Sequence, residues 1–552
     1  PARVTAGEGA FTLRAGDGVA CSDAVLASVA ATFVADLAAV GSLRLDVDAA
    51  PAARGAITLA LVDQIDEVSE LAPTYGVSPV DAEPGSERYR LLVTADGITA
   101  EGVSQEAVFR ALISLRQLIE AASSGADEVE LAAVEIIDAP RYAWRGLSLD
   151  VVRTFFSVAE VKRVIDQVAR FKCNVLHLHL TDHEGWRLHI DSWPNLTAIG
   201  ATGASGDRPG GFYTQDDYRE LVSYAADRFV TIVPEIDLPG HCAAVFAAYP
   251  ELGAADAPSD DSAMIPIVSM DPDLPTTMGF VRDVLSEVAA LTPGAYLHLG
   301  ADEAFGMDHA KYVKFVGGVR EIIAGLGKLA VGWQESARAG LGADDVVQHW
   351  MDGGISLDKL SELGIDLPQE LLSAIDETLA LAGGDVPAAL AAGARVLMSP
   401  LTVAYLDQPY GEPGAEDQEA QRARVGLPIY VGTTIRSAVE WDPLTMVDEL
   451  TSEDQVAGVE GVVWCETVTS FEDLQFLIQP RLAGIAERGW ARPGPFDWPD
   501  YSERLAAQAP QVAGGQAGQR LPVKANLPRG GFDQPQYQPR QRGFATAAFA
   551  DD

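Results

Sequence analysis

The sequence predicts an α/β protein in which a (β/α)8 TIM barrel follows a smaller α+β domain. The chain has 552 residues, which is too long for one ordinary domain. Apolar residues make up 48% and charged residues 22% of the chain, a globular composition that excludes the disordered and fibrous classes. From Arg145 onward, a unit of one apolar strand followed by a helix occurs about eight times.

The first ~140 residues alternate short strands with helices. The apolar patterns predict strands over residues 56–62, 89–94 and 134–137, and helices over residues 22–40 and 104–121. A turn-rich stretch at 123–127 precedes the last of these strands. Since Asp138-Ala139-Pro140 interrupts the pattern, we predict an α+β domain over residues 1–140.

The next region, residues 141–495, is predicted to form the barrel. Its strands read as nearly continuous apolar runs, which suit parallel strands buried on both faces, and eight such units within ~350 residues match a barrel with loop insertions. One insertion, residues 352–393, is rich in Ala and Leu and is predicted to be helical and outside the barrel. The predicted strands cover residues 146–152, 174–181, 229–236, 295–299, 329–333, 346–350, 395–399 and 461–464.

The C-terminal region, residues 496–552, departs from the barrel pattern. Residues 498–508 are predicted to form one more helix, and residues 514–552 are rich in Gln, Pro and Gly without periodicity, which is typical of a tail.

The net charge of the chain limits the kinds of partner that it can bind. The chain has 39 Lys and Arg against 80 Asp and Glu, a formal net charge of −41. A chain this acidic is not expected to bind nucleic acid or an anionic membrane surface through its overall field. Because every long apolar run is interrupted by a charge or a turn, we also expect no membrane-spanning segment.

Compartment and assembly stay open at this point. The four cysteines, Cys21, Cys173, Cys242 and Cys465, are far apart and read as free thiols, three of them in apolar patterns. The given sequence starts at Pro1 rather than Met and includes no signal peptide, which is compatible with a segment removed from a longer chain, so extracellular and cytoplasmic locations of a soluble, bacterial-type protein both stay open. A homodimer is a further open alternative.

The predicted strand ends are rich in polar and aromatic side chains. In (β/α)8 barrels the catalytic residues come from the C-terminal ends of the strands. Any single such residue is compatible with a structural ion pair or a core aromatic, whereas eight ends bearing such groups indicate a site. In chain order the residues are Asp150, Arg153, Asp182 to Glu184, Glu235, Asp237, His241, Asp302, Glu303, Trp333, Glu335, His349, Trp350, Tyr405, Asp407, Trp464 and Glu466.

Carboxylates combined with tryptophans suit a sugar site. Aromatic faces stack on the C–H surface of a pyranose, and glycoside hydrolysis needs a general acid and a negative group that stabilises an oxocarbenium-like transition state. Asp302 and Glu303 are adjacent, so they would point to opposite sides of a strand unless the backbone turns at its end. Such a pair favours different roles for the two carboxyls, as in a substrate-assisted mechanism.

A metal-dependent hydrolase is an alternative interpretation. His177, His179, Asp182 and His183 form an H-x-H-x-x-D-H string, which is typical of some metal-binding barrels. The competing interpretation is that His177 and His179 are hydrogen-bonded core residues. The many tryptophans favour the sugar site, and we predict no metal ligand and no cofactor.

Six motifs together resemble the β-N-acetylhexosaminidases of glycoside hydrolase family 20. They occur in the family's order at predicted strand ends across residues 140–490, and the first ~140 residues match the family's N-terminal α+β domain in size and pattern. The motifs are R-G-L-S-L-D-V-V-R from Arg145, H-L-H-L-T-D-H-E-G-W-R from His177, V-P-E-I-D-L-P-G-H from Val233, H-L-G-A-D-E from His298, V-G-W from Val331 and V-V-W-C-E-T from Val462.

The resemblance implies a retaining exo-hydrolase in which the 2-acetamido oxygen of the substrate attacks the anomeric carbon, because family 20 is an exception to the two-carboxylate scheme. By this analogy Glu303 is the general acid and base, Asp302 orients the acetamide N–H, and Tyr405 donates to the acetamide oxygen. The implied partner is an oligosaccharide or glycoconjugate with a terminal N-acetylhexosamine.

The resemblance also implies roles for the remaining candidates. Trp333, Trp350 and Trp464 would wall the acetamide pocket and the sugar face. Arg153 and Glu466 would hold sugar hydroxyls, with Asp407 as a further polar contact. Asp182 and His241 would orient Glu303 from behind, which gives the H-x-H-x-x-D string a role without a metal.

Two departures and two further alternatives remain. Residues 426–434 lack a tryptophan that many relatives carry there, and the tail has no counterpart in the family. A relative that releases a disaccharide such as lacto-N-biose would need a wider pocket. An inactive carbohydrate-binding barrel would lack turnover, although Asp302, Glu303 and Tyr405 are all present.

Overall fold

A computed structural model describes residues 1–39, 41, 43–47, 56–65, 87–122, 127–253, 268–353, 367–413, 416–494 and 496–512. Within these ranges the chain forms a mixed sheet with helices, followed by a closed parallel barrel with helices around it. The fold class predicted from the sequence is therefore confirmed.

The N-terminal sheet has the strand order β1-β7-β5-β6-β4-β2-β3. Its central pairs β7–β5 and β5–β6 are antiparallel, whereas β6–β4, β4–β2 and β2–β3 are parallel. The strands are β1 Arg3–Arg14, β2 Gly18–Cys21, β3 Asp46–Val47, β4 Ile57–Leu61, β5 Tyr89–Thr94, β6 Gly97–Gly102 and β7 Glu128–Asp138.

The barrel closes in the order β8-β9-β12-β13-β14-β15-β16-β17, with β17 pairing back to β8, and every neighbouring pair is parallel. A two-stranded hairpin, β10 Thr181–Asp182 and β11 Gly185–Trp186, follows the second barrel strand. The barrel strands are β8 Trp144–Asp150, β9 Val175–His179, β12 Thr231–Leu238, β13 Tyr296–Gly300, β14 Leu329–Trp333, β15 Val346–His349, β16 Arg395–Met398 and β17 Val456–Val463.

Helices cover the outside of the barrel and pack on the N-terminal sheet. Several begin with a capping box, as at Ser157 and Thr214, whose side chains accept from the third backbone N–H of the helix. The α-helices are α1 Ala27–Ala39, α2 Gln105–Ala122, α3 Val158–Arg170, α4 Asn195–Ala198, α5 Gln215–Ala226, α6 Ala243–Ala248, α7 Thr277–Leu291, α8 His309–Gly325, α9 Gln369–Ala382, α10 Asp385–Ala391, α11 Leu401–Ala404, α12 Glu419–Arg422, α13 Phe471–Ile478, α14 Arg481–Trp490 and α15 Trp498–Val512. Short 3-10 helices lie at Ala24–Leu26, Ser205–Asp207, Pro250–Leu252, Gln334–Ala339, Glu416–Gln418, Pro443–Thr445 and Glu453–Gln455.

All eight predicted barrel strands are present, with shifted ends. The last one begins at Val456 rather than 461, because Glu460 faces the barrel interior and interrupts the apolar run there. In the N-terminal region β4, β5, α2 and the end of β7 match the predictions, whereas β1, β2, β3 and β6 were not predicted. Strand β1 is exposed along most of its length and so carries no apolar pattern.

The insertion and the C-terminal region are partly described. Residues 354–366 of the predicted insertion lie outside the described residues, and its remainder holds α9 and α10. The predicted helix at 498–508 is present as α15, while the tail from 514 lies outside the described residues. Among the helices that the structure describes, none is both long and apolar enough to cross a membrane.

An apolar layer closes the amino-terminal end of the barrel. Trp144, Val175, Tyr296 and Val331 from four strands pack together there and are fully buried. The interior at this end is filled with side chains, so the space for a ligand lies at the opposite end, where the strands finish.

Charged groups are buried where the N-terminal sheet meets the barrel. Glu87 contacts Arg110 on α2 at 2.8 Å and Arg145 on β8 at 2.5 Å, and all three side chains are buried. Trp490, at the end of α14, packs into the apolar core of the N-terminal sheet. The two parts of the chain therefore share a buried interface.

Candidate active site

The turn after β13 presents two carboxyl groups to the carboxyl end of the barrel. Gly300, Ala301 and Glu303 have positive φ values of 70°, 77° and 45°. A Cβ on Gly300 would lie 1.8 Å from Oδ1 of Asp237, so only glycine fits this position. Because the backbone leaves the extended conformation here, Asp302 and Glu303 both approach the same histidine, His241.

His241 links the two carboxyl groups to a buried aspartate. Its Nε2 lies 3.7 Å from Asp302 Oδ2 and 3.6 Å from Glu303 Oε2, and its Nδ1 lies 3.0 Å from Asp182 Oδ1. Burial opposes a charge on the ring, but Asp182, Asp237 and Asp302 together raise the pKa of His241 well above its usual value. His241 is therefore a cation that donates to Asp182 and faces both carboxyls.

Asp302 is the more enclosed of the pair. Its side chain is 10% exposed, against 29% for Glu303, and Oδ1 has no hydrogen-bond partner among the described residues. Burial, together with Asp237 and Glu303, raises the pKa of Asp302 well above its usual value, against the opposing effect of His241. A buried carboxyl oxygen without a partner is suited to bind a polar group of a ligand.

Asp237, at the end of β12, is a second buried acid beside this pair. Burial raises its pKa to about 7, with His241 acting in the opposite direction and Glu235 in the same direction. Its backbone N–H donates to Thr181 Oγ1 at 2.9 Å, which fixes its position. Asp237 therefore adds to the negative charge around Asp302 whenever it is ionised.

Arg153, beyond the end of β8, is held by carboxylates from neighbouring strand ends. Its Nη2 lies 2.7 Å from Asp182 Oδ2 and its Nε donates to Glu184 Oε2 at 3.0 Å. Burial opposes its charge, but Asp182 and Glu184 raise its pKa well above the usual value. Its guanidinium also lies 5.3 Å from the Trp464 ring, so it borders the aromatic wall.

Aromatic side chains form that wall. Trp333 lies 5.9 Å from Trp464 between ring centroids, and Trp464 lies 6.3 Å from Tyr405. Trp350 is nearly parallel to Tyr405 at 6.3 Å, and Tyr430 meets Tyr405 edge-on at 6.0 Å. Trp333, Trp350 and Trp464 come from strand ends, Tyr405 follows α11 and Tyr430 lies in a loop, and together these five residues form the aromatic wall of the site.

A buried carboxylate holds the indole N–H of Trp333. Glu235 Oε1 accepts from Trp333 Nε1 at 2.7 Å and also lies 3.0 Å from His298 Nδ1. Its Oε2 lies 2.5 Å from His179 Nδ1 and 3.2 Å from His177 Nε2. Burial opposes the charge, but the three histidines hold the pKa of Glu235 well below its usual range.

These contacts bear on the H-x-H-x-x-D-H string. His179 is held between Glu235 and Asp182, at 2.5 Å and 2.8 Å, and His177 Nδ1 lies 2.9 Å from Glu460 Oε1. Several of these groups place ligand atoms within 4.8 Å of one another, as His177, Glu235 and His298 do. For His177 and His179, these hydrogen bonds are the ones that the competing interpretation of hydrogen-bonded core residues predicts.

Two further carboxyls close the other side of the site. Asp407 is buried, and no side chain in the described part of the chain donates a hydrogen bond to its carboxyl oxygens. Burial and Glu466 raise its pKa well above the usual value. Burial raises the pKa of Glu466 to about 7, with Arg153 opposing and Asp150 assisting the shift.

The structure thus brings the candidate residues together at one rim. Asp302, Glu303, His241, Asp182 and Arg153 form one connected polar group, and Trp333, Trp350, Tyr405 and Trp464 line the adjoining wall. Asp407 and Glu466 interact electrostatically with each other, and Glu466 with Arg153.

Sequence reasoning missed some participants. Glu235 and Glu335 were noted as strand-end carboxyls without a role, and each accepts an indole N–H from the wall. Tyr430 lies in the segment noted only for its lack of tryptophan, where it is the one aromatic residue between 426 and 434. This lone aromatic residue was the signal in the sequence from which the contribution of Tyr430 to the site could have been predicted.

Comparison with known proteins identifies relatives over most of the chain. The model described as "Glycosyl hydrolase family 20, catalytic domain" matches residues 142–313 and 375–493, and that described as "Glycosyl hydrolase family 20, domain 2" matches residues 1–139. A β-N-acetylhexosaminidase of Cellulomonas fimi is 38% identical over 432 residues, which are 78% of this chain and 79% of that protein.

Two solved structures are similar over nearly the whole chain. The N-acetyl-β-hexosaminidase of Streptomyces plicatus, in complex with Thio-NAglucal, has a TM-score of 0.78 and 35% identity, covering 95% of this chain and 96% of that one. An exo-β-N-acetylglucosaminidase of Vibrio harveyi, in complex with N-acetylglucosamine, has a TM-score of 0.73 and 26% identity, covering 93% of this chain and 76% of that one.

Proposed function

This chain belongs to glycosyl hydrolase family 20 and is a β-N-acetylhexosaminidase of that family, and from this premise we propose that it is a retaining exo-enzyme. It removes terminal β-linked GlcNAc or GalNAc from oligosaccharides by substrate-assisted catalysis through an oxazolinium intermediate. The substrate has a terminal N-acetylhexosamine. N-acetylglucosamine, which is bound in the structure of the Vibrio harveyi relative, is a sugar of this kind.

The observation that carries the proposal is the turn at Asp302-Glu303. It gives two adjacent carboxyls different surroundings, one enclosed and one more exposed, with His241 within 3.7 Å of both. The more exposed Glu303 is suited to exchange a proton with a leaving group, and the enclosed Asp302 is suited to contact a buried group of the substrate. Here both face an aromatic wall that suits an acetamide and a sugar ring.

Glu303 is the general acid and base in this proposal. In the first step the acetamide carbonyl oxygen attacks the anomeric carbon, the bond to the leaving oxygen breaks, and the proton of Glu303 passes to that oxygen. In the second step a water attacks the anomeric carbon, Glu303 takes its proton, and the bond to the acetamide oxygen breaks. Both steps invert the anomeric carbon, so the product keeps the β configuration.

Asp302 and Tyr405 position the acetamide. Asp302 accepts a hydrogen bond from the acetamide N–H through its unpartnered oxygen Oδ1. It also stabilises the positive charge that develops on the oxazolinium ring, which forms when the acetamide attacks the anomeric carbon. Tyr405 donates to the acetamide oxygen. Trp333, Trp350 and Trp464 enclose the acetamide methyl and the sugar face, from which they exclude water.

The remaining candidates hold the sugar and the acid. Arg153, Asp407 and Glu466 bind hydroxyl groups, for which a fixed guanidinium and two neighbouring carboxyls, one of them buried, are suited. Asp182 and His241 stand behind Glu303 and keep its carboxyl in place. We also propose domain limits at 1–140, 141–495 and 496–552.

The experiment is hydrolysis of the nitrophenyl β-glycosides of GlcNAc, GalNAc, glucose and lacto-N-biose, with and without an N-acetyl-thiazoline inhibitor. We expect cleavage of the two acetamido monosaccharides, and inhibition by the thiazoline. Release from lacto-N-biose alone would instead mean a disaccharide-releasing enzyme with a wider pocket. Activity abolished by EDTA would overturn the mechanism, and saturable sugar binding without any cleavage would leave only a binding barrel.

A further inference from the structure

The turn that follows β14 holds Trp350 at two separate points. Gln334 and Glu335 are consecutive residues at the start of the 3-10 helix Gln334–Ala339, and both side chains are buried. Gln334 Oε1 accepts from the backbone N–H of Trp350 at 3.1 Å and from that of Met351 at 2.9 Å. Glu335 Oε2 accepts from Trp350 Nε1 at 3.1 Å.

These contacts fix both the backbone and the ring of Trp350. Gln334 holds the main chain of Trp350 but leaves the indole free to rotate about the side-chain torsions. The hydrogen bond from the indole N–H to Glu335 removes that rotation. The ring then lies nearly parallel to Tyr405, at an interplanar angle of 13°. The Trp350 carbonyl also accepts from Leu401 N at 2.9 Å, which ties the same residue to the start of α11 and hence to Tyr405.

The turn is itself anchored by the helical insertion. Asp385, at the start of α10, accepts from Gln334 Nε2 at 3.2 Å and from Arg338 at 2.8 Å and 2.7 Å. The side chain of Asp385 is 2% exposed, so this anchor is shielded from solvent. The residues that hold Trp350 are therefore fixed by the buried hydrogen bonds of Asp385 rather than by a surface loop.

From this arrangement we propose that Glu335 is a positioning residue that sets the size of the acetamide pocket, by holding the Trp350 indole against the space where the acyl group of the substrate lies. This inference rests on the proposed function, which places the acetamide between Trp350 and the rest of the aromatic wall. It predicts that Glu335 controls which N-acyl groups the enzyme accepts, although Glu335 itself does not touch the reacting atoms.

The charge state of Glu335 is compatible with this role. Burial and Asp302 raise its pKa to about 8, against the opposing effect of Arg338. This shift favours the protonated carboxyl at neutral pH, which limits the negative charge beside Asp302. A glutamine has the same size and the same acceptor oxygen as a neutral glutamic acid, so Glu335→Gln is a conservative control.

The test is the ratio of kcat/KM for nitrophenyl glycosides of N-propionyl- and N-acetyl-glucosamine. One methylene in a tight pocket is worth roughly 10–200-fold in discrimination. We expect Glu335→Leu and Glu335→Asp, which remove or withdraw the acceptor, to raise the propionyl-to-acetyl ratio roughly 10-fold. Glu335→Gln should leave the ratio within about twofold of the wild type.

The ratio is measured on a single preparation, so it does not depend on how much of that preparation is folded. If Glu335→Leu fails to fold, Glu335→Asp keeps a polar group at the same place and tests the same contact. Equal loss of rate on both substrates, with an unchanged ratio, would mean a merely structural role and would overturn the inference. A wild-type protein without activity on N-acetyl substrates would overturn the proposed function instead, and this inference with it.

Discussion

At the residue scale, the adjacent acids Asp302 and Glu303 differ because their surroundings differ. Asp302 is enclosed beside Asp237 and His241, whereas the side chain of Glu303 is 29% exposed toward the open end of the barrel. In the proposed mechanism, the leaving group therefore contacts Glu303 and the buried acetamide contacts Asp302. The positive φ values at Gly300, Ala301 and Glu303 make this division possible.

Replacing Glu303 by glutamine removes the acid and keeps the pocket. We expect Glu303→Gln to lose roughly 10²–10⁴-fold in kcat/KM on glycosides with poor leaving groups, the range that general acid catalysis contributes. The loss should be smaller on dinitrophenyl glycosides, which need little protonation. The measurement compares the two substrates on the same variant, and a weaker binding of product with unchanged turnover would contradict the role.

Replacing Asp302 by asparagine removes the charge that faces the acetamide. We expect Asp302→Asn to lower kcat by roughly 10²–10³-fold on the nitrophenyl glycoside of GlcNAc, as the loss of one preorganised electrostatic group does. The matched control is the 2-hydroxyl glycoside, whose slow hydrolysis should hardly change because it has no acetamide to orient. Equal losses on both substrates would argue against the assignment.

The pH dependence of the site follows from the crowding of acids around Asp302. Burial, Asp237 and Glu303 raise the pKa of Asp302, and the ionised form is the one that stabilises positive charge. Removing one of these neighbours lowers that pKa, so the ionised form persists to lower pH. We expect the acidic limb of the pH profile of kcat/KM to lie at lower pH in Asp237→Asn than in the wild type. An acidic limb at the same pH or at a higher pH would contradict this account.

At the scale of elements, the barrel strands were predictable and the turns between them were not. Strands such as β9 and β12 are buried on both faces and so read as unbroken apolar runs. The role of Glu335 depends on how a short 3-10 helix meets the end of the next strand, which no periodicity encodes. Asp302 and Glu303 were predicted from their position at a strand end and from the family resemblance.

The same distinction applies to the N-terminal sheet. Strands β4 and β5 alternate buried with less buried residues and were predicted, because this alternation is the pattern of a half-buried strand. Strand β6 has the same alternation, but it begins and ends with Gly97 and Gly102, which read as turn residues. Tertiary pairing, rather than local sequence, makes it a strand.

The turn after α3 places a buried lysine at the interface between the N-terminal sheet and the barrel. Lys172 Nζ lies 2.6 Å from Ser114 Oγ, 2.8 Å from Tyr89 OH and 3.9 Å from Asp138 Oδ2. Burial lowers its pKa to about 7, with Asp138 opposing this shift. The interface is therefore sensitive to pH.

The sign of this effect is fixed by linkage. The usual pKa of lysine is about 10.4. Between pH 7 and about 10.4, the unfolded chain therefore holds a proton on Lys172 that the folded chain lacks. In that window the free energy of unfolding rises with pH, by up to about 1.4 kcal/mol per pH unit. In Lys172→Met this contribution is absent. We expect the stability of the wild type relative to Lys172→Met, measured by urea unfolding, to increase from pH 7 to 9, and a constant or falling difference would contradict the burial of an uncharged amine.

At the scale of the whole molecule, closure of the barrel is what assembles the site. Arg153, Asp182, Asp302, Trp350 and Glu466 are separated by up to 313 residues in sequence and meet only because all eight strands point the same way. The apolar layer around Trp144 and Tyr296 fills the other end of the barrel, so the candidate site lies at the carboxyl end of the strands.

The central claim is that the substrate supplies the nucleophile, and one series of substrates tests it. In nitrophenyl glycosides of glucosamine whose N-acyl group is acetyl, fluoroacetyl, difluoroacetyl or trifluoroacetyl, the carbonyl oxygen becomes steadily less nucleophilic while the leaving group stays the same. If the acetamide oxygen attacks the anomeric carbon, kcat/KM falls steeply and regularly along the series. If a carboxylate of the enzyme or a water attacks directly, kcat/KM changes little along it, and the substrate-assisted mechanism at Asp302 and Glu303 is wrong.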